Sequence, residues 1–116
     1  GAAGLLQGKK ATCHWAYTHL LPLFGAMHQP TRVVRDGNLI TAGGVTSGID
    51  FAIELIAAIS GEDVARTIQL ALEYDPAPPF GGGSLAHSKE ETVRRLRADV
   101  YDQAAAEMEI AIKAIF

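Results

Sequence analysis

The sequence predicts an α/β chain, and specifically the second half of an α/β sandwich. Three observations lead there. The apolar patterns read in the order β-α-β-β-α-α-α, with two or three strands against four or five helices. So few strands cannot form a sheet that covers that many helices on both faces. The chain also opens on what reads as the tail of a helix: Leu5 and Leu6 followed by Gln7-Gly8, a helix-end signal. A length of 116 residues, 48% hydrophobic and 20% charged, fits one globular domain and argues against disorder.

Each element has its own justification. Lys9 to His14 suits a short buried strand running into a loop at His14-Trp15. Tyr17 to Phe24 reads as a short amphipathic helix ending near Gly25. Arg32 to Ala42 is the strongest β signal, with Val33-Val34 and Leu39-Ile40 flanking Asp36-Gly37, a dipeptide that accepts the positive φ of a tight hairpin turn. Gly43-Gly44 breaks that strand, and Thr46 or Ser47 can cap a helix with Asp50 near its positive end. Apolar residues from Ile49 to Ile59 cover most of this helix, which predicts deep burial. Ser60-Gly-Glu-Asp63 can open a second helix with Val64, Ile68, Ala71 and Leu72 on one face. Pro76 to Gly83, with three prolines and three glycines, is irregular. Ser88-x-x-Glu91 has the form of a capping box for the last helix, whose stripe is Val93, Leu96, Val100, Ala104, Met108, Ala111 and Ile115.

Charge and cysteine content exclude several function classes. Residues 61–116 carry six basic and ten acidic side chains within a net charge of −3, so there is no footprint for nucleic acid. Arg94, Arg95 and Arg97 are offset by Glu90, Glu91, Asp99 and Asp102, the pattern of a solvated, ion-paired helix face. Apolar runs such as Leu55 to Ile59 fall far short of the ~20 residues that span a membrane, so no membrane partner is expected. One cysteine, Cys13, rules out an internal disulfide and a Cys-rich zinc site, and no secretory pattern is present, which makes the cytoplasm the expected location.

Few residues stand out as chemical. His14 follows a predicted strand end, where active sites of α/β sheets collect, and can orient a nucleophile or act as an acid or base. Cys13 reads as a buried structural thiol. Gly43-Gly44-Val45-Thr46-Ser47-Gly48 joins a strand to a helix start, where backbone N–H groups favour an anion or a polarised carbonyl. The glycine spacing matches neither a phosphate loop nor a dinucleotide fingerprint. His19, His28 and His87 lack metal-ligand spacing, so neither a metal nor a cofactor is expected.

Three stretches taken together are more specific. Ala3-Gly-Leu-Leu-Gln-Gly-Lys-Lys-Ala-Thr-Cys-His-Trp15 resembles the segment after the nucleophile helix in the DJ-1/PfpI superfamily. Arg32 to Thr41, running into Gly43 to Ala52, is similar to that family's hairpin and following helix. Gln69-Leu-Ala-Leu-Glu-Tyr-Asp-Pro-Ala-Pro-Pro-Phe80 resembles its isonitrile hydratase branch.

The resemblance covers about residues 1–84 and implies a flavodoxin-like α/β sandwich, akin to class I glutamine amidotransferases. Residues 1–116 would then be the C-terminal part of a single domain. The resemblance places the nucleophilic cysteine, at a strained strand-to-helix elbow, several residues before Gly1, together with an acidic partner. What this chain would supply is His14, matching the family's histidine beside the elbow, and a pocket wall of Trp15, Gly43, Gly44, Val45 and Thr46. Where the hydratases read Ala-Thr-Thr-His-Trp, Cys13 replaces the second Thr, a nearly isosteric change. The implied partners are the N-terminal half, a second copy in a homodimer, and a small-molecule substrate. The implied activity is hydration of an isonitrile to a formamide through a cysteine thioimidate. The alternatives are a ligand-sensing domain of an AraC-type regulator, or another activity of the scaffold: amidase or protease, glyoxalase, or chaperone.

Overall fold

Backbone pairing in this chain is sparse, and two small sheets carry it. The computed structural model describes residues 1–116. Strand β1 (Lys10–Ala11) pairs in parallel with β2 (Met27–His28), Lys10 opposite Met27. Strands β3 (Val33–Asp36) and β4 (Leu39–Ala42) form an antiparallel hairpin, Val33 opposite Ala42. On its edge away from β2, β1 meets side chains instead of a strand: Lys10 N–H donates to Asp36 Oδ2 at 2.8 Å and Thr12 N–H to Thr41 Oγ1 at 3.0 Å.

The hairpin forms where the sequence places it, with its two-residue turn at Gly37-Asn38, one residue later than the Asp36-Gly37 reading. Gly37 takes φ 65° while Asn38 keeps a negative φ, the pattern of a II′ turn with glycine first. Between β1 and β2, Trp15–Phe24 is a 3-10 helix and not an α-helix. Pro22 inside it cannot donate a backbone hydrogen bond and would crowd the carbonyl four residues earlier in an α-helix. β2 carries no signal in the sequence, because two residues cannot display alternation.

Two expectations about helix termini fail. Residues 1–8 form turns and no helix tail, with Gly4 N–H donating to Gly1 O at 2.8 Å. The Ser88 capping box does not form: Ser88 Oγ donates to Gly82 O and Ser84 O, both at 2.6 Å, and α3 (Glu90–Leu96) starts after Lys89. Ser88 instead closes the glycine loop.

Helices α1 (Ser47–Ser60) and α2 (Glu62–Ala71) form an adjacent pair, but α1 is not deeply buried. Only Ser47 of α1 is buried, and Ile59 is 75% exposed. α2 ends in a Schellman motif, Tyr74 N–H to Gln69 O and Glu73 N–H to Leu70 O, with Glu73 left-handed at φ 50°. A side chain there is strained, so Glu73→Gly should raise stability by about 0.5–1 kcal/mol, measured by urea denaturation.

The last helix is interrupted. A π turn, Arg97–Tyr101, separates α3 from α4 (Asp102–Ile115). It shifts the inner face by one residue relative to the predicted stripe: Ala105 and Ile112 are buried, whereas Val100 is 55% exposed and Ile115 56%. α4 packs on the 3-10 helix, with Phe116 edge-on to Phe24 at 6.0 Å. Burial is thin throughout. Only 11 of 116 residues are buried, and the central cluster is Ala11, Leu21 and Ala26 with Leu6 and Cys13 against it. No helix is long and apolar enough to cross a membrane.

Candidate functional site

The chain ends of β1, β2 and β4 open onto one cleft of about 650 Å³. His14, Trp15, Gly43, Gly44, Val45 and Thr46, the residues singled out by sequence, all lie on its wall. The structure adds Thr18, His28, Arg32 and the loop Gly83 to His87. Only Gly83 belongs to the stretch that reads as irregular, Leu85–His87 is a single 3-10 turn, and nothing in this sequence says that it lies along the cleft.

His14 is held by the backbone it starts. Its Nδ1 accepts from Ala16 N–H at 3.3 Å, capping the 3-10 helix, and its carbonyl accepts from Tyr17 N–H at 2.9 Å. With Nδ1 an acceptor, the neutral ring carries its proton on Nε2. The edge bearing Cδ2 and Nε2 faces Gly44, where an added Cβ would stand 3.2 Å from Cδ2. Glycine is required at this point for close approach. Aromatic rings fix the remaining faces: Tyr101 lies 5.1 Å from the imidazole, Trp15 5.5 Å and Tyr17 5.7 Å, centroid to centroid.

Tyr101 and Arg97 are residues that sequence reasoning missed. Both belong to the π turn, which brings Tyr101 edge-on to Trp15 at 5.2 Å and Arg97 over the indole at 5.4 Å. The solvated-face reading holds for Arg95, paired with Asp99 at 3.4 Å and exposed, but not for Arg97.

The junction from β4 into α1 is fastened from three sides. Gly43 N–H donates to Arg32 O at 2.8 Å, and Ser47 donates to Gly44 O through both Oγ (2.5 Å) and N–H (2.9 Å). Cys13 is half-buried, with its thiol donating to His14 O at 3.5 Å. Burial pushes this thiol up, away from the thiolate form a nucleophile needs. Cys13→Thr, which retains a donor for His14 O, should change stability by no more than about 1 kcal/mol and activity of the complete protein by no more than severalfold. A thousandfold loss without unfolding would make Cys13 a nucleophile.

At the outer rim Asp50, in the first turn of α1, accepts from Arg32 Nε at 2.5 Å through Oδ2 and from Tyr74 O–H through Oδ1. The Schellman end of α2 brings Tyr74 to it. The Tyr74 hydroxyl, then Arg32, hold the Asp50 carboxyl below the usual carboxylate range. Such a carboxylate stabilises the fold above its unfolded value near 3.8, and the contribution disappears as pH falls through the lower folded value. Tyr74→Phe should therefore be less stable than the parent at pH 6, with the difference shrinking towards pH 2, as read from urea midpoints across pH.

Several known proteins are similar to this chain. Residues 1–58 match the DJ-1/PfpI family. Isonitrile hydratase from Pseudomonas putida is 49% identical over 120 residues, which covers 95% of this chain and 53% of that protein. The HTH-type transcriptional regulator GlxA of Rhizobium meliloti is 33% identical over 72% of this chain and 28% of its own length. The crystal structure of a THiJ/PfpI family protein from Pseudomonas syringae superposes with a TM-score of 0.81 at 42% identity, covering 90% of this chain and 44% of that one. The chain thus spans about half the length, or less, of the relatives it matches.

Proposed function

The chain belongs to the DJ-1/PfpI family, and from that premise we propose that it is the C-terminal part of one such domain and forms a wall of an isonitrile-hydrating site. The reaction is R–N≡C + H2O → R–NH–CHO. The observation that carries this reading is the 49% identity to isonitrile hydratase across 95% of the chain. In the assembled domain a cysteine thiolate from the N-terminal part attacks the terminal isonitrile carbon, which takes up a proton to give the thioimidate R–N=CH–S. Water adds to that carbon, the C–S bond breaks, and the thiolate returns as the formamide leaves. His14 presents Nε2–H to the reacting centre, and thiolate formation depends on the dipole of the elbow helix and on a nearby carboxyl group, both from the N-terminal part. The half-sandwich is supported by the thin burial, 11 of 116 residues, and by the large apolar side chains left exposed.

The test is the complete domain supplied with a small isonitrile, with the formyl proton of the product followed by NMR. Catalytic appearance of formamide is expected; none at micromolar enzyme would overturn the proposal. A second reading, ligand sensing, draws on the regulator match. It expects binding of a small molecule in the cleft with no turnover.

A further inference from the structure

We infer that the substrate of this cleft carries a carboxylate and that Arg32 is the residue that recognises it. The inference deepens the hydratase reading and relies on it only for the identity of the reacting group.

The chain has 13 Asp and Glu residues and a net charge of −3, yet none of the 19 residues lining the cleft is acidic. Arg32 is the only lysine or arginine among them, accompanied by His28 and His87. The acidic partner of the nucleophile belongs to the N-terminal part, so on the wall that this chain supplies the only fixed charge is positive. Arg32 is also held ready. Its carbonyl is bonded to Gly43 N–H at 2.8 Å, beside the Gly44 contact with His14, so its backbone is fixed next to the reacting centre. Its Nε is fixed on Asp50, and Asp50 is itself fixed by Tyr74.

This arrangement engages the guanidinium through Nε, with the Tyr74 hydroxyl close by, and leaves the side chain 56% exposed with N–H donors to spare. Two parallel N–H groups in a fixed fork match the two oxygens of a carboxylate. Asp50 offsets part of the positive charge, but its two oxygens are already engaged by Arg32 and Tyr74. The cleft histidines do not gather with other ligands into a metal-binding group. The substrate class is accordingly a small isocyano-carboxylate, with its carboxylate on the Arg32 fork and its N≡C group towards His14.

The experiment uses the complete domain and separates binding from turnover. Calorimetry compares N-formylglycine, an unreactive product analogue, with its ethyl ester. The acid should bind at least roughly tenfold more tightly, and Arg32→Gln should reduce that preference to within about twofold. Asp50→Asn, which leaves the Arg32 charge uncompensated, should preserve or enlarge the preference and decides the matter if Arg32→Gln fails to fold. Equal binding of acid and ester, or a preference unchanged in Arg32→Gln or lost in Asp50→Asn, overturns the inference. Isocyanoacetate and its ethyl ester are then assayed as substrates. Turnover of both with equal binding upholds the hydratase reading and overturns this one. Acid-selective binding with no turnover of either upholds this one and overturns the hydratase reading.

Discussion

Residues 1–116 expressed alone should melt without a cooperative transition and turn over no isonitrile, and adding the N-terminal part of the domain should restore both. The surface makes the case. A compact 12.3 kDa protein exposes about 6,100 Å² by the usual scaling, whereas this chain exposes 8304 Å². Its radius of gyration is 16.2 Å, against about 13.4 Å for a compact chain of this length. The excess of about 2,200 Å² matches one side of a large obligate interface. Large apolar side chains occupy that excess surface, including Leu70 at 82%, Phe80 at 84% and Ile110 at 71% exposed. Fully burying each such side chain is worth about 1.5–3 kcal/mol, so a few of them equal the whole stability of a typical domain. Cooperative calorimetric melting of the isolated chain would overturn the half-domain reading, and isonitrile turnover by it would overturn the assignment of the nucleophile to the N-terminal part.

Gly44→Val should lower kcat of the complete domain by on the order of a hundredfold while leaving its melting temperature within a few degrees. A Cβ at this position meets His14 Cδ2 at 3.2 Å, and the branched carbons of valine would press the imidazole off its Nδ1 bond to Ala16. The junction is only partly buried and its backbone bonds run through Gly43 N–H and Gly44 O, which valine retains. Gly43→Ala provides the contrast, since its Cβ would approach nothing nearer than Ser47 Oγ at 3.4 Å. Gly44→Ala should fall between them. Stopped-flow kinetics and thermal melts of the three variants test the ordering; loss of stability with kcat intact would show that Gly44 serves folding and not His14.

Local chemistry made part of this legible from sequence, and long-range placement hid the rest. The hairpin could be read because Val33-Val34 and Leu39-Ile40 flank a glycine that needs positive φ. His14 and the Gly43 to Thr46 junction stand out in the sequence because strand ends and helix starts are where sites collect, and the structure lines one cleft with them. The deep burial expected for α1 fails because an apolar circumference states a preference and not a neighbour, and only Ser47 of this helix is buried. Ser88 went to Gly82 and Ser84 because a loop with two open carbonyls competed with the helix start. Asp50 looked like a residue of the helix dipole, and nothing local shows that Tyr74, 24 residues on, would bind it. Tyr101 and Arg97 carry no local sign because they reach His14 and Trp15 only through a π turn.

That turn gives the C-terminal helix a second possible phase. Each residue of an α-helix advances the azimuth by about 100°, so inserting one residue between Arg97 and Tyr101 would re-index everything downstream. Ala104 and Ala111 would rotate into the places now held by Ala105 and Ile112, since the apolar periodicity of the sequence already fits that alignment. The docking of α4 would survive in altered form, while Tyr101 would swing away from His14 and Trp15. Length variation at this one point therefore acts as a vernier. It can retune the aromatic surroundings of the histidine without redesigning the scaffold, and a single-codon insertion would be the smallest genetic event able to do so.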